Sequence, residues 1–377
     1  MPNNQQETLN ALTLARMSYF NIPVMRDLLQ RAGSFSAIVE NHECITDIIP
    51  ECPERMSRQL KDISQLQRRA EEEMAYNEAH GIKVLTINSS DYPQRLKECH
   101  DAPLVLFYKG CANLNSKRIV NIIGTRHATS YSDDCIRRFV ADIKELCPEI
   151  LIVSGLAYGV DIMAHRHSLE NGIPTVGVLA HGLDTLYPSS HRETANRMTE
   201  CGGLLTEHFT KTNADKVNFV RRNRIVAGMS DATILVESAA RGGGLITCQM
   251  AGSYNRDVFA FPGRVGDTYS EGCNNIIKSR SAQIILSAAS LVNDMGWNND
   301  AQLVTARQNG IERSLFPNVE GDAKLVTDAL QKNNDQQINS LAAATGLPIN
   351  KLSAMLFELE MGGIVKALAG GTYHLIR

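Results

Sequence analysis

The chain has 377 residues, 43% of them hydrophobic and 21% charged, with a formal net charge of -3. That length suits two or three domains, and a slight negative balance leaves nucleic-acid binding to local patches. No apolar run reaches the ~20 residues of a membrane span, and Met1 to Thr8 lacks the basic start and apolar stretch of a secretion signal, so a cytoplasmic protein with no membrane partner is expected. Nine cysteines between Cys44 and Cys273 include no Cys-x-x-Cys pair, which fits neither a disulfide framework nor a zinc module.

In chain order, apolar residues from Glu7 to about Ala79 recur at helical spacing (Leu9, Leu12, Leu14, Met17, then Val24, Leu28, Leu29), with Gly33 and Pro53 as punctuation. The spacing predicts a small helical domain over 1–79. Asn21-Ile22-Pro23 lacks the glycine of a helix-hairpin-helix DNA grip, so an interaction or spacing role is expected there. Gly81 to Ile87 reads as a strand at the edge of the next unit, and Asp91-Tyr92-Pro93 and Ala102 to Gly110 punctuate the approach. Over 80–297, short apolar strands (118–123, 150–154, 175–179, 203–206, 232–236, 257–260) alternate with helical patterns. This alternation predicts an α/β fold with a doubly wound parallel sheet. A polar stretch, 298–320, reads as a linker. Over 321–377 the pattern predicts helix, turn, helix and a two-stranded wing. Five cations there balance five acids, so electrostatics would not drive this winged helix onto DNA, and a role in contacting protein or tuning the main domain is expected.

One segment departs from the overall charge. Between His208 and Gly228, Lys211, Lys216, Arg221, Arg222 and Arg224 face Asp215 alone, a local excess of four positive charges beside Phe219. Cations neutralise phosphates and an aromatic face stacks an unpaired base, so single-stranded nucleic acid is the first reading. In a doubly wound sheet, ligands bind beyond the carboxyl ends of the strands. The loops at those ends are Gly124-Thr125-Arg126, Ser154-Gly155-Leu156-Ala157-Tyr158-Gly159-Val160-Asp161, His181 to Pro188, Arg241-Gly242-Gly243-Gly244 and Ser270 to Ile277. Glycine lets a phosphate approach the backbone, and free amides at a following helix start complete an anion site.

These motifs, together with Ala164-His165, Arg222-Asn223-Arg224-Ile225 through Ser230 and Phe261-Pro262-Gly263, closely resemble the DprA/Smf family of DNA-processing proteins. The resemblance implies an extended Rossmann-like fold that binds single-stranded DNA without turnover or cofactor. It implies phosphate contacts at Arg126, Lys216 and the glycine loops, and a stacking platform at Phe219. On this basis the expected DNA-binding residues are Gly124, Thr125, Arg126, Ser154, Gly155, Ala157, Gly159, Lys216, Phe219, Arg222, Asn223, Arg224, Gly242, Gly243, Gly244 and Asn274, with Arg222 and Arg224 either lining the groove or bracing acidic neighbours. The resemblance further implies protection of single-stranded DNA during uptake and recombination, loading of the RecA recombinase, and a homodimer. Two departures stand out. Gly242-Gly243-Gly244 replaces the family's frequent Ser-Gly-Ser, which loses hydroxyl donors, and Ser281 stands where a glycine is frequent, which would strain a left-handed backbone.

Rival readings are weaker. His165 and His167 sit two apart on a helix and diverge by roughly 200°, so with His181 and His191 they do not build a metal site. Asp161 and Glu237 read as structural acids rather than an acid–base pair. Ser154 has no nucleophile elbow around it, and the dinucleotide fingerprint is absent after the first strand. The main alternative is a phosphoribohydrolase of the lysine-decarboxylase-like group, with its Pro-Gly-Gly-x-Gly-Thr-x-x-Glu motif. Arg241 to Gln249 lies at the analogous place without the proline and with Gln249 where the acid would fall, so no enzyme is expected.

Overall fold

The computed structural model describes residues 2–18, 22–48, 54–61, 63–297, 321–334, 336–362, 364–368 and 371–375. Asn21, Pro53 and the expected linker 298–320 lie outside them. The chain parts into two compact units, Met1–Met295 and Gly296–Arg377. Among the described residues, no helix is long and apolar enough to cross a membrane.

Among the described residues, the first unit is built on nine strands: β1 (Lys83–Thr86), β2 (Val105–Gly110), β3 (Arg118–Ile123), β4 (Ile150–Ser154), β5 (Thr175–Val178), β6 (Gly203–Thr206), β7 (Ala232–Leu235), β8 (Asp257–Ala260) and β9 (Gln283–Ile284). Their order across the sheet is β1-β2-β6-β5-β4-β3-β7-β8-β9. From β6 to β9 every pairing is parallel, with Val120 opposite both Ile152 and Ala232. Strands β4 to β7 are buried at every residue, because helices cover both faces of a parallel sheet and each side chain then meets an apolar layer. Val105–Gly110 was not expected as a strand. Its apolar run pairs antiparallel with β6 on one side and β1 on the other.

The order of strands fixes where a ligand can go. From β3 the chain winds outward through β4, β5 and β6, crosses back along the helix Lys216–Gly228, and lays β7 on the other side of β3. Connections on the two sides of β3 therefore diverge, and a crevice opens at the carboxyl ends of β3 and β7.

The helices of 2–79 lie in the same compact unit, and one hydrophobic core runs from Leu12, Met25 and Phe35 through Leu85 and Phe107 to Leu151, Val178 and Ile225. Polar ties reinforce it. On the helix Ser64–Ala79, buried Glu73 accepts from the Thr210 amide (3.0 Å) and the Thr210 hydroxyl (2.6 Å), while Arg69 pairs with Glu73 (2.8 Å) and donates to the Thr210 carbonyl (2.9 Å). The loop that leads into the cationic helix is thereby fastened to the N-terminal helices.

The second unit has helices Asp322–Lys332, Ile338–Thr345 and Ile349–Met361 and a three-stranded sheet, Gln336–Gln337, Thr372–Leu375 and Val365–Leu368 in spatial order. Gly346, with φ of +69°, ends the middle helix in the left-handed conformation that glycine adopts without penalty. Val326, Leu330, Leu341, Leu352 and Leu356 form its core. The two-stranded wing of the sequence reading is present as Val365–Leu368 and Thr372–Leu375, and Gln336–Gln337 adds a short third strand.

Two of the buried histidines of the first unit, His165 and His208, are held neutral. The Thr175 hydroxyl donates to the Ile152 carbonyl (3.0 Å) and so accepts from Nδ1 of His165 (2.7 Å), which leaves Nε2 of His165 as an enclosed lone pair. Burial, with Arg222 nearby, pushes His165 down to about 3, and burial with Arg224 nearby does the same to His208. In the unfolded chain both titrate near 6.5, so between 6.5 and 3 the unfolded state binds more protons and stability rises with pH. Stability is therefore fully present above 6.5 and lost on acidification, by about 2 kcal/mol per histidine at pH 5. Urea unfolding at pH 7.5 and pH 5 measures the loss, and His165→Gln should remove roughly half of these histidines' share.

Candidate nucleic-acid interface

A cleft of about 600 Å³ occupies the crevice at the ends of β3 and β7. Its walls come from four connections: Gly124, Thr125 and Arg126 after β3; Gly155, Ala157, Tyr158 and Asp161 after β4; Tyr187 after β5; Gly242, Gly243 and Gly244 after β7. Lys216, Phe219, Asn223 and Val226, three or four residues apart on the helix Lys216–Gly228, present one helical face to the same space, with Val220 beside them.

Two helix N-termini open on the cleft, those of Lys216–Gly228 and Gly243–Ser253. The first amides of a helix have no acceptor within it, and the helix dipole adds partial positive charge there. A lysine at the first helical position works against that dipole, so Lys216 is poorly placed for helix stability and well placed to receive an anion. Arg126 is exposed at the rim, its guanidinium 5.0 Å from the centre of the Phe219 ring.

Beneath these groups lies a buried cation. Arg222 is 3% exposed and donates from Nη1 to the carbonyls of Gly155 (2.5 Å) and Val178. Asp161 stands beside it. Burial lowers the Arg222 guanidinium to about 10, opposed by the Asp161 carboxylate and helped by Arg126; burial likewise raises Asp161, opposed by Arg222. At neutral pH the guanidinium stays charged. Gly155 is where the two meet: a Cβ there would fall 2.5 Å from Nη2 of Arg222 and 2.6 Å from Oδ2 of Asp161. Gly159 has φ of +78° and a Cβ would lie 2.2 Å from the Thr125 carbonyl oxygen, so the β3 and β4 loops touch through backbone alone. Gly243 differs, since a Cβ there meets nothing within 4 Å and would simply project outward.

The structure gathers twelve of the sixteen expected residues around this space: Gly124, Thr125, Arg126, Gly155, Ala157, Lys216, Phe219, Arg222, Asn223, Gly242, Gly243 and Gly244. Four do not line it. Ser154 is buried and its hydroxyl donates to the Ile122 carbonyl (2.7 Å), joining β4 to β3. Gly159 acts through the loop contact just described. Arg224 pairs with Glu207 (2.5 Å), both side chains nearly buried, and donates to the Asp101 carbonyl (2.8 Å), which makes it a brace between the cationic helix and the end of β6. Asn274 clasps the main chain of Gly263 at 3.1 and 3.0 Å and holds the Phe261-Pro262-Gly263 turn.

Other expectations resolve in the same way. Glu237 accepts from the Thr129 amide (3.0 Å), the Thr129 hydroxyl (2.8 Å) and the Ser132 hydroxyl, so it anchors the start of the helix Ser130–Leu146. At Gly242 the Ser238 hydroxyl fills the place of a side chain, 2.2 Å from where a Cβ would stand. The left-handed residue near Ser281 is Arg280, with φ of +60°, so the strain expected at Ser281 falls one position earlier. Sequence reasoning did not single out Tyr158 and Tyr187, which line the cleft with about half their surface exposed. An aromatic residue in a loop after a parallel strand was the available signal.

A doubly wound sheet whose switch-point crevice is lined with glycine backbone, two helix starts and exposed cations defines an anion-binding α/β protein, joined here to a winged helix. The chain belongs to the DprA/Smf family: the family described as DNA recombination-mediator protein A matches residues 83–296, and the DprA winged helix domain matches 317–371. The DNA processing protein DprA of Bacillus subtilis is 38% identical over 227 residues, covering 60% of this chain and 75% of that protein. Protein Smf of Escherichia coli is 30% identical over 315 residues, 81% of each chain. The X-ray structure of DprA from Streptococcus pneumoniae superposes with a TM-score of 0.61 at 28% identity, covering 71% of this chain and 92% of that one. A structure of DNA processing protein A from Helicobacter pylori, reported for its single-stranded DNA binding mode, gives 0.52 at 26% identity, with 58% and 96% covered.

The buried and exposed arginines of the cleft should separate cleanly in unfolding experiments. Arg222→Met leaves two carbonyls and Asp161 without their partner and should cost about 3–5 kcal/mol. Arg126→Ala, at the exposed rim, should stay within about 0.5 kcal/mol of the parent. Urea denaturation of both variants checks the contrast; equal losses would contradict the division of roles.

Proposed function

We propose that this protein binds single-stranded DNA in the switch-point cleft, without chemical turnover. The observation that carries the reading is the convergence of Arg126, Lys216 and Phe219 on one cleft lined with glycine backbone. Two exposed cations and two helix starts meet phosphates, an aromatic ring meets an unpaired base, and no base-edge reader is needed for a site that tolerates any sequence. The binding mode named for the H. pylori relative supports the same ligand.

Several features favour binding over catalysis. Asp161 lines the cleft beside the Arg222 guanidinium, and Glu237 is engaged by Thr129 and Ser132, so both acids already have protein partners. Gln249 stands where a phosphoribohydrolase of related fold needs an acid. We further propose that the bound strand is protected and passed to the RecA recombinase in DNA uptake and recombination, and that the protein works as a homodimer in the cytoplasm.

Fluorescence anisotropy of a labelled single strand and its duplex across a salt series tests the reading. Tight, salt-sensitive binding of the single strand is expected. Arg126→Ala should weaken binding to all sequences alike, and the slope of log affinity against log salt should flatten by about 0.7 for the phosphate contact removed. Equal affinity for both ligands, or no binding, would sink the proposal.

A further inference from the structure

Phe219 is a partly covered platform. Its ring is approached by the Arg126 guanidinium at 5.0 Å, the Arg222 guanidinium at 5.9 Å and the Tyr187 ring at 5.8 Å, tilted by 59°. Two other rings in the cleft are far more open. Tyr187 is 50% exposed and Tyr158 is 48% exposed, and both line the cavity.

Both are held from behind while their rings face outward. Nδ1 of His181 donates to the Gly182 carbonyl (2.8 Å), so Nε2 accepts from the Tyr187 amide (3.1 Å), and a fully buried imidazole thereby sets the turn that presents Tyr187. His191 donates from Nδ1 to the Leu156 carbonyl (3.0 Å) and packs edge-on to Tyr158, with ring centres 4.9 Å apart at 72°. The loop carrying Tyr158 includes two left-handed residues, Leu156 at φ +57° and Gly159 at φ +78°. A buried leucine in that conformation costs of order 1 kcal/mol or more, so surrounding contacts hold this loop in its shape.

We propose that Tyr187 and Tyr158 form a second stacking track, so that the cleft takes a run of successive unpaired bases across the ends of β5 and β4 rather than one base at Phe219. The inference rests on the single-strand reading above and deepens it. Phosphates are gripped at Arg126, Lys216 and the Gly242–Gly244 turn. Bases then lean on the tyrosines. Any base has a face to stack, so the track lengthens the site without adding sequence preference.

The test uses the full-length protein and two probes: a thymidine oligonucleotide, and a strand of the same length and phosphate number that carries abasic residues. Tyr187→Leu keeps apolar bulk and should weaken thymidine-strand binding about tenfold, while Tyr187→Phe keeps the ring and should bind as the parent does. Tyr158→Leu should behave likewise, and neither variant should alter binding of the abasic strand. Arg126→Ala should weaken both probes. Leucine variants that bind the thymidine strand like the parent, or that lose both probes equally, would overturn the track while leaving the cleft reading intact. Failure of the parent protein to bind either probe would instead overturn the cleft reading, and the track with it.

Discussion

Everything at the carboxyl end of this sheet is arranged around the guanidinium of Arg222. Arginine cannot shed its proton inside a protein, so a guanidinium taken out of water must be met by acceptors at every turn. Here they are the Gly155 and Val178 carbonyls, with Asp161 alongside. Each partner imposes a further constraint. The main chain of the β4 loop must come close enough for its carbonyl to reach, which leaves no room for a Cβ at residue 155. The helix Lys216–Gly228 must lie against the ends of β4 and β5, and that placement is what turns Lys216, Phe219 and Asn223 toward the cleft.

The division of labour between arginines follows from depth. Arg222 and Arg224 are buried and spoken for by protein atoms, whereas Arg126 and Lys216 are exposed and have reach. One layer of charge therefore fixes the shape of the site, and another remains available to a ligand. Five glycines bare the backbone along the lining, which suits the ligand proposed above, a polymer whose repeating unit is a phosphodiester and whose bases vary.

How much of this was legible in the sequence depended on the signal each element carries. Strands β3 to β8 were plain because parallel strands buried along most or all of their length read as apolar runs, and residues 118–123, 150–154, 203–206 and 257–260 coincide with the strands observed. Val105–Gly110 escaped because its flanking proline and glycine read as punctuation. In the cleft, the glycines and Arg126 were found from their place after a strand. Arg222 and Arg224 stayed ambiguous for a physical reason: from Arg222 onward the helix that bears them is buried at nearly every residue, so periodicity could not say which way either faces. Asn274 looked like a ligand contact because a polar turn residue gives no hint that its amide clasps a neighbouring loop. Tyr158 and Tyr187 were hidden in motifs whose glycines drew the attention.

The fastening of Thr210 to Glu73 and Arg69 carries one more consequence. The helix Ser64–Ala79 and the loop before Lys216 are joined by an acid with 1% of its surface exposed and by an arginine shared with the loop's carbonyl. The position of the loop that enters the cationic helix is therefore set by the N-terminal helices as well as by the sheet, and the N-terminal segment is part of the framework of the cleft.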